Sequence, residues 1–216
     1  MKLKIISLFA LLGILLFSSC NQTKKQQTTN SDSTAREAIN NPEQIKQITE
    51  VITRFTRSYL SQDQSKTNAL IHPEHGIAII HRPGVADTYT IEDSIDYKHP
   101  MPHYYPYETF ANDQVLTFES LPAYDCGKEK WDKIGFFTDT TTHSETKILE
   151  TIAKFFDEYE QIPYDEATKS KINALETGSY RVILALEDHH LIFHVKQFGE
   201  AWYVTILDRA YASCDA

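Results

Sequence analysis

The chain has 216 residues, a formal net charge of −9, 41% hydrophobic residues and three cysteines. This length and apolar content suffice for one domain with a hydrophobic core, which excludes a disordered chain and a small disulfide-rich scaffold. The acidic balance also argues against nucleic acid as a partner, because binding to phosphates requires clustered Lys and Arg.

The N-terminus has the pattern of a secretion signal followed by a lipid attachment site. Lys2 and Lys4 make the first four residues basic, and residues 5–17 are mostly apolar. This apolar run is too short to span a bilayer, which requires about 20 residues. Leu-Phe-Ser-Ser-Cys at residues 16–20 resembles the lipobox of bacterial lipoproteins, whose cysteine is acylated. We therefore predict a signal peptide at residues 1–19 and a lipid-bilayer anchor at Cys20. The alternative is an ordinary secretory signal with an incidental cysteine.

We predict that residues 20–41 consist of the acylated cysteine and a flexible tether. The tether is rich in Thr, Gln, Lys, Ser and Asn and has almost no apolar side chains to bury. Asn21 is not the aspartate that marks inner-membrane retention in many enterobacterial lipoproteins, and no acidic cluster follows Cys20. We expect a cell-envelope protein, anchored in the outer membrane and facing the periplasm. Loss of the signal removes Lys2 and Lys4, so the mature charge is −11.

Acylation of Cys20 would leave Cys126 and Cys214 in an oxidising compartment, where two thiols are expected to form one disulfide. It would staple the end of the chain to its middle and contribute at most about 4.6 kcal/mol on the chain-entropy model. A redox or nucleophilic cysteine is the alternative, and Lys128 and Lys130 are its only support.

Several helices are indicated along the chain. Asn41 and Pro42 are typical of a helix start, and a stripe at spacings of three and four predicts an amphipathic helix. The stripe consists of Ile45, Ile48, Ile52, Phe55 and Tyr59. Residues 63–70 indicate a short helix, residues 142–145 a capping box before a helix with a wide apolar face, and residues 165–178 a helix that ends at Gly178.

Strands are indicated in two places. Residues 72–76 predict a turn into a strand at 77–80, and Arg82-Pro83-Gly84 ends it. At the C-terminus, two-residue turns at 188–189 and 199–200 would give a three-stranded antiparallel meander. One of its faces would carry Val182, Leu184, Leu186, Leu191, Phe193, Val195, Trp202, Val204 and Ile206. The opposite face is also apolar, so either the irregular middle of the chain or a second chain should cover it, and we favour the former.

This order of elements predicts an α+β fold over residues 42–216, with helices packed on an antiparallel sheet that ends in the meander. Ile48-x₆-Phe55-x₃-Tyr59 and Phe198-Gly-Glu-Ala-Trp202-Tyr-Val are similar to the nuclear transport factor 2-like cone folds. That resemblance implies helices on a curved sheet that leave a pocket.

Four motifs resemble an uncharacterised family of Gram-negative envelope lipoproteins, a domain of unknown function. They are His72-Pro-Glu-His-Gly76, Arg82-Pro-Gly84, Tyr124-Asp-Cys126-x₄-Trp131-x-Lys133-x-Gly135-x-Phe137, and Trp202-Tyr-Val-Thr-Ile-Leu-Asp208 with Ser213-Cys214. The resemblance covers most of residues 45–216. It implies a disulfide between the two cysteine-bearing motifs and transfers no mechanism.

The candidate binding residues come mainly from an unusual segment, residues 96–110, which alternates Pro with aromatic residues and favours an extended backbone. Its Tyr104, Tyr105 and Tyr107 would stack on a sugar or a peptide, beside His99 and His103. The alternative is a loop whose tyrosines cover the edge of the core.

No metal site or cofactor is predicted. Pro100 and Pro102 forbid the helix that would bring His99 and His103 together. His190 and His194 would lie about 13 Å apart on one strand. His72 and His75 flank a turn, where their rings would converge near Glu74, but we favour turn or surface residues there.

No catalytic residues are predicted either, since the sequence has no GxSxG elbow, no HExxH and no phosphate-binding loop. The first hypothesis is therefore a non-catalytic envelope lipoprotein that binds an envelope protein or glycan. The rival is a cone-fold enzyme with a small-molecule pocket that uses His81, Arg82 or His194. The oligomeric state is not determined by the sequence.

The anchor is tested by Cys20→Ala, which removes the acylated thiol, so acyl chains should be present on the N-terminal peptide of the wild type and absent from that of the variant. Fractionation followed by mass spectrometry of the N-terminal peptide is the measurement. Cys214→Ala is the control and should keep these acyl chains. A wild-type N-terminal peptide without acyl chains would contradict the anchor.

Overall fold

The computed structural model describes residues 39, 41–140 and 147–210, all within one compact unit of the chain, Arg36–Ala216. The predicted signal, Cys20 and nearly all of the tether lie outside the described residues, as do Cys214 and the capping box at 142–145. The described helices are α1 (Pro42–Leu60), α2 (Gln64–Asn68), α3 (Ile148–Tyr159) and α4 (Glu166–Glu176). The described strands are β1 (Ile77–His81), β2 (Thr88–Glu92), β3 (Leu116–Phe118), β4 (Tyr124–Asp125), β5 (Lys130–Trp131), β6 (Gly135–Thr138), β7 (Tyr180–Ala185), β8 (His190–Phe198) and β9 (Ala201–Asp208).

Seven of the strands form one sheet in the order β2-β1-β9-β8-β7-β6-β3, and β4 and β5 form a separate hairpin. The α+β class and the antiparallel arrangement of β7, β8 and β9 confirm the prediction. The sheet is mixed rather than purely antiparallel, because β1 lies parallel to β9 and β3 parallel to β6. A parallel neighbour requires a crossover connection, and the segment with the β4–β5 hairpin supplies the one between β3 and β6.

Helix α1 begins with the predicted capping chemistry. Asn41 Oδ1 accepts a hydrogen bond from the Glu43 amide at 2.9 Å, and Pro42 stands where no amide donor is needed. The buried members of the predicted stripe are Ile48, Ile52, Phe55 and Tyr59, and Ile45 packs at its edge. Contact of this stripe with the sheet stabilises α1 more than helix propensity does.

The turn before β1 requires a glycine. Gly76 has φ +68°, and a Cβ atom there would lie 2.4 Å from the carbonyl oxygen of Glu92 on β2. Any larger residue would therefore separate β1 from its neighbour. The predicted turn at 72–76 is confirmed by a bridge between His72 and Gly76.

Helices α3 and α4 depend on each other. Asp165 caps α4 by accepting a hydrogen bond from the Thr168 amide at 2.8 Å. The side chain of Lys147, at the N-cap position of α3, makes no capping hydrogen bond. Instead the Glu176 carboxylate, at the end of α4, accepts hydrogen bonds from the Leu149 amide at 2.9 Å and the Glu150 amide at 3.2 Å. Burial raises the pKa of Glu176 to about 7, although these amides lower it.

The predicted register of the meander is wrong in two respects. Val182 pairs with Phe193 rather than Val195, so the β7–β8 turn spans four residues instead of two. The shift is an even number, so each β7 side chain keeps its predicted face. A β-bulge then lies between His194 and Val195, with the result that Leu207 rather than Ile206 faces α1.

Different elements pack on the two faces of the sheet. Helix α1 and residues 95–110 pack on one face, around Phe55, Phe193 and Val204. Helices α3 and α4 pack on the other face over Ala78, Ile80 and Ile206. The β4–β5 hairpin covers Ile183, Ala185 and Ile192 through Trp131 and Tyr124. These contacts confirm that the middle of the chain covers the second apolar face of β7 and β8.

Strands β2, β3, β6 and the β4–β5 hairpin were not predicted individually. They have two to five residues each, and β3 and β6 also pair with strands that are distant in the sequence, as in the pairing of Phe137 with Ile183. Such short segments have too few side chains to show a period of two.

One buried arginine fixes the Pro- and aromatic-rich segment to the sheet. Arg209, just after β9, is 8% exposed, and its amide donates to Ile80 O at 2.9 Å. Its guanidinium donates to the carbonyl oxygens of Met101, Tyr105 and Pro106, the last two at 2.6 and 2.7 Å. The guanidinium carbon also lies 4.3 Å from the ring centroids of Tyr105 and Tyr107.

Arg209→Lys keeps the positive charge but loses the planar fork that reaches three carbonyl groups. We expect this variant to lower the free energy of unfolding by about 2 kcal/mol, because partly buried carbonyl groups lose their donors. Urea denaturation provides the measurement. Arg54→Lys, on the exposed face of α1, is the matched control and should change stability by less than about 0.5 kcal/mol; equal effects in the two variants would contradict the role of Arg209.

Candidate functional site

A cleft of about 250 Å³ opens at one end of the sheet, where three segments meet. One wall comes from the segment that Arg209 holds, one from the β4–β5 hairpin, and one from the β7–β8 turn. We call it the acidic cleft; its lining residues are Tyr105, Glu108, Tyr124, Glu129, Trp131, Leu186, Glu187, Asp188, His189 and His190.

Glu108 lies at the centre of the polar contacts in the acidic cleft. The Tyr105 hydroxyl donates to Glu108 Oε1 at 3.3 Å, and His189 Nδ1 lies 3.3 Å from Glu108 Oε2. The His189 ring stacks on Phe110, with 4.9 Å between centroids and 5° between planes. These contacts join the wall that Arg209 holds to the β7–β8 turn.

The β7–β8 turn that carries the acids is itself closed by a backbone hydrogen bond. The Leu186 amide donates to His189 O at 2.8 Å, and Glu187 and Asp188 project at the exposed tip. The four-residue turn, which the sequence did not predict, is thus what places these acids at the cleft.

Aromatic side chains form the hairpin wall of the cleft. Trp131 is 5% exposed and meets Tyr124 edge to face at 5.2 Å and His190 at 5.9 Å. The hydrophobic contact of Trp131 with Ile183, Ala185 and Ile192 beneath it holds the hairpin in place. Burial lowers the pKa of His190, so its ring is neutral at pH 7.

The lining of the acidic cleft has four carboxylates and neither Lys nor Arg. Within the part of the chain that the structure describes, Glu129, Glu187 and Asp188 make no ion pair. Unpaired carboxylates at a concave surface give a negative potential there, and such a potential attracts cations and repels anions.

A second, smaller cavity of about 30 Å³ shares Tyr105, Glu108 and His190 with the acidic cleft. Buried Asp208 lies in its lining and accepts a hydrogen bond from Arg181 Nη2 at 3.2 Å. Burial raises the pKa of Asp208, and the charge of Arg181 opposes that shift. This cavity has space for about one water molecule and extends the cleft toward the sheet.

Of the residues predicted on the aromatic segment, only Tyr105 lines the acidic cleft. Tyr104 is exposed, and His103 meets its ring at 5.5 Å. His99 is exposed and pairs with Asp96, with Nδ1 2.8 Å from Oδ2. Tyr107 is 5% exposed and packs on Tyr59 and Tyr97, so the prediction that it stacks on a ligand is wrong.

His81, Arg82 and His194, the predicted alternatives for a catalytic residue, have different partners in the structure. Arg82 pairs with Asp87, with Nε 2.6 Å from Oδ1, and His81 is buried at the end of β1. His194 is fully buried on β8, where its Nδ1 lies 3.0 Å from Ser179 Oγ.

His72 and His75 stack on each other, with centroids 4.4 Å apart and planes at 26°. Both backbone amides that follow, of Glu74 and His75, donate to His72 Nδ1. Within residues 39, 41–140 and 147–210, no group of three or more His, Cys, Asp or Glu side chains is arranged to hold a metal ion.

Cys126 belongs to a disulfide and is exposed beside the β4–β5 hairpin. Since it is the single cysteine within the described residues, its partner lies outside them and the pairing with Cys214 stays a prediction.

No helix among the described residues is long and apolar enough to cross a bilayer.

Sequence reasoning missed Glu108, Trp131, His189 and His190 as residues that share one site. Trp131 belongs to one of the motifs that resemble the envelope lipoproteins, and the sequence predicts His189 in a turn. No spacing links residue 108 with residue 189, because only the sheet brings these segments together.

A further cavity, of about 260 Å³, lies between β2 and the helices α3 and α4. Its lining is largely apolar and consists of Thr88, Tyr89, Ala153, Phe156, Ile162, Pro163 and Thr168. It has no carboxylate or histidine, so its contacts with a ligand would be mainly hydrophobic.

Comparison with known proteins gives no match to a family model, to a curated protein or to a solved structure. The site is therefore interpreted from its own geometry and charge.

His194 should make the fold sensitive to acid. Burial lowers its pKa from 6.5 to about 3, so below pH 6.5 the unfolded chain takes up a proton that the folded chain does not. Stability is fully present above pH 6.5 and is lost as pH falls toward 3. At pH 5 we expect a loss of about 2 kcal/mol relative to pH 7.5 from this group.

His194→Gln removes the titrating group and keeps a side chain that can bond to Ser179. We compare the unfolding free energy of the wild type with that of His194→Gln at pH 5 and at pH 7.5. The difference between the two proteins should change by about 2 kcal/mol between these pH values. This difference also cancels the opposite contribution of Glu176, whose raised pKa makes stability fall as pH rises from about 4.5 to about 7. Exposed His103→Gln is the control; a pH-independent difference for His194→Gln would refute the assignment.

Proposed function

We propose that this chain is a lipid-anchored protein of the Gram-negative cell envelope whose folded part binds an envelope component, a protein or a glycan, without catalysis. Acylated Cys20 would hold it in the outer membrane, and residues 21–41 would let the folded part reach partners in the periplasm. The resemblance to envelope lipoproteins supports this address.

The acidic cleft is the observation that carries the binding function. It is concave, aromatic residues and unpaired carboxylates line it, and Arg209, Trp131 and the β7–β8 turn hold its three walls. A cleft with walls fixed in advance loses little conformational entropy when a ligand enters, which favours binding.

The enzyme alternative has less support. Of its alternative residues, His81 and His194 are buried, and Arg82 pairs with Asp87. General acid-base catalysis requires a titrating group within reach of a substrate, and a fully buried His194 with a pKa of about 3 does not meet that requirement.

Photo-crosslinking in intact envelopes tests the binding function. p-Benzoylphenylalanine in place of Asp188, at the mouth of the acidic cleft, should give a discrete adduct with an envelope component after irradiation. The same amino acid in place of Glu158, which is exposed on α3 and does not line the cleft, is the control. Absence of an adduct at 188, or equal adducts at both positions, would contradict the proposal.

A further inference from the structure

We infer that the turn at residues 72–76, between α2 and β1, is an acid-sensitive conformational device. The neutral ring of His72 closes this turn, and uptake of a proton by that ring opens it. We call it the His72 turn. The inference concerns a part of the fold outside the acidic cleft and is independent of the proposed function.

The His72 ring is a hydrogen-bond acceptor within its own turn. The Glu74 amide donates to His72 Nδ1 at 3.1 Å, and the His75 amide donates to the same atom at 3.3 Å. Backbone amides only donate, so Nδ1 carries a lone pair and the proton of the neutral ring is on Nε2. The geometry therefore requires one tautomer of the neutral ring.

The main chain of the turn depends on the same residue. The Gly76 amide donates to His72 O at 2.9 Å, and Gly76 has φ +68°. Pro73, between the ring and its two donors, has a fixed φ and no amide hydrogen. His72 thus accepts three hydrogen bonds of the turn, two of them through its ring.

A proton on the ring is incompatible with these two side-chain bonds. Both nitrogens of a charged imidazole are donors, so a protonated Nδ1 would direct its hydrogen at the amide hydrogens of Glu74 and His75. The two bonds would be lost together, and the ring would have to rotate away from the amides. A single protonation therefore removes two of the three bonds that His72 accepts.

The aromatic surroundings of the ring also favour its neutral form. The His72 ring stacks on His75, with 4.4 Å between centroids, and contacts Phe198 on β8 at 4.6 Å and Tyr203 on β9 at 4.9 Å. Burial and the charge of His75 lower the pKa of His72, and the Glu74 carboxylate opposes them. The ring therefore stays neutral to a lower pH than a free histidine does.

The other charged groups near the turn lie on β8 and beside the end of β2. On β8, Lys196 Nζ lies 4.8 Å from the Phe198 ring centroid and donates to the carbonyl oxygens of Asn173 and Ala174. At the end of β2, the backbone of Glu92 and Asp93 lies against Gly76. Among the nearby charges, Glu74 favours a proton on His72, and His75 disfavours it.

Opening of the turn would change the surface at the end of the β8–β9 hairpin. Phe198 and Tyr203 are half-buried, and the His72 ring contacts both of them. Rotation of the ring away from its amide donors would also remove it from these two rings. Acid would therefore expose aromatic surface there.

Nitrogen-15 and proton NMR of the full chain, purified in detergent, tests the inference between pH 7.5 and pH 5. At pH 7.5 the His72 signals should be those of a ring with its proton on Nε2. As the pH falls, the ring should titrate with a midpoint below 6.5. The amide proton of Glu74 should move upfield with the same midpoint because its acceptor is lost, and the ring signals of Tyr203 should shift with it.

His72→Asn keeps an acceptor and removes the titrating ring. Asn41 and Asp165 show that a short side chain can accept from an amide two or three residues further on. This variant should keep the Glu74 amide in its hydrogen-bonded position at pH 7.5 and lose the shift on acidification. His72→Phe keeps an aromatic ring without an acceptor and should show the acid position of the Glu74 amide at both pH values.

Two further variants are controls. His75→Gln removes the second titrating ring of the turn and should leave the pH response of the Glu74 amide in place. His103→Gln, at an exposed position outside the turn, should leave the midpoint unchanged. The amide signal of Ile192, in the middle of β8, should be the same at both pH values in the wild type and all variants, which distinguishes local opening from unfolding.

A proton on Nδ1 at pH 7.5 would overturn the inference. So would a His72 ring that titrates without a shift of the Glu74 amide, or a midpoint at or above 6.5. The same shift of the Glu74 amide in His72→Asn as in the wild type would also overturn it, because the response would then come from another group.

Discussion

The buried guanidinium of Arg209 is the contact that joins the sheet to the least regular part of the chain. Residues 96–110 form no strand or helix, so their carbonyl groups need donors from elsewhere. Arg209 supplies donors to Met101, Tyr105 and Pro106, and it stands at the end of the central strand β9, where its own amide is bonded to β1. One side chain thus converts an extended segment into a fixed wall.

The position of the cleft follows from that contact and from two others. Tyr105 and Glu108 lie on the wall that Arg209 holds, Trp131 packs the β4–β5 hairpin on Ile183 and Ile192, and the turn after β7 carries Asp188 and His189. The residues named are up to 84 positions apart in the sequence (189 − 105 = 84), and the central strands bring them together. The negative potential of the cleft is therefore a product of the topology as much as of the acidic composition.

Buried titratable groups in this fold act mainly on stability. His194 lies in the sheet beside Ser179 and remains neutral, whereas Glu176 replaces the missing N-cap of α3 and carries a pKa of about 7. Their pH effects oppose each other between about pH 4.5 and 6.5, which limits the change in stability across that range. Neither side chain lines the acidic cleft.

The sequence by itself determined the class of the fold and its most regular elements. The stripe from Ile45 to Tyr59, the cap at Asn41 and the alternation in β7 to β9 are local patterns, and local patterns follow from the periods of helix and strand. Only the tertiary structure decided the rest. The bulge at His194 exchanged Ile206 for Leu207, and the core contacts of Tyr107 removed it from the surface. Glu108, Trp131 and His189 became one site for the same reason, because side chains from distant segments meet only after the sheet has assembled.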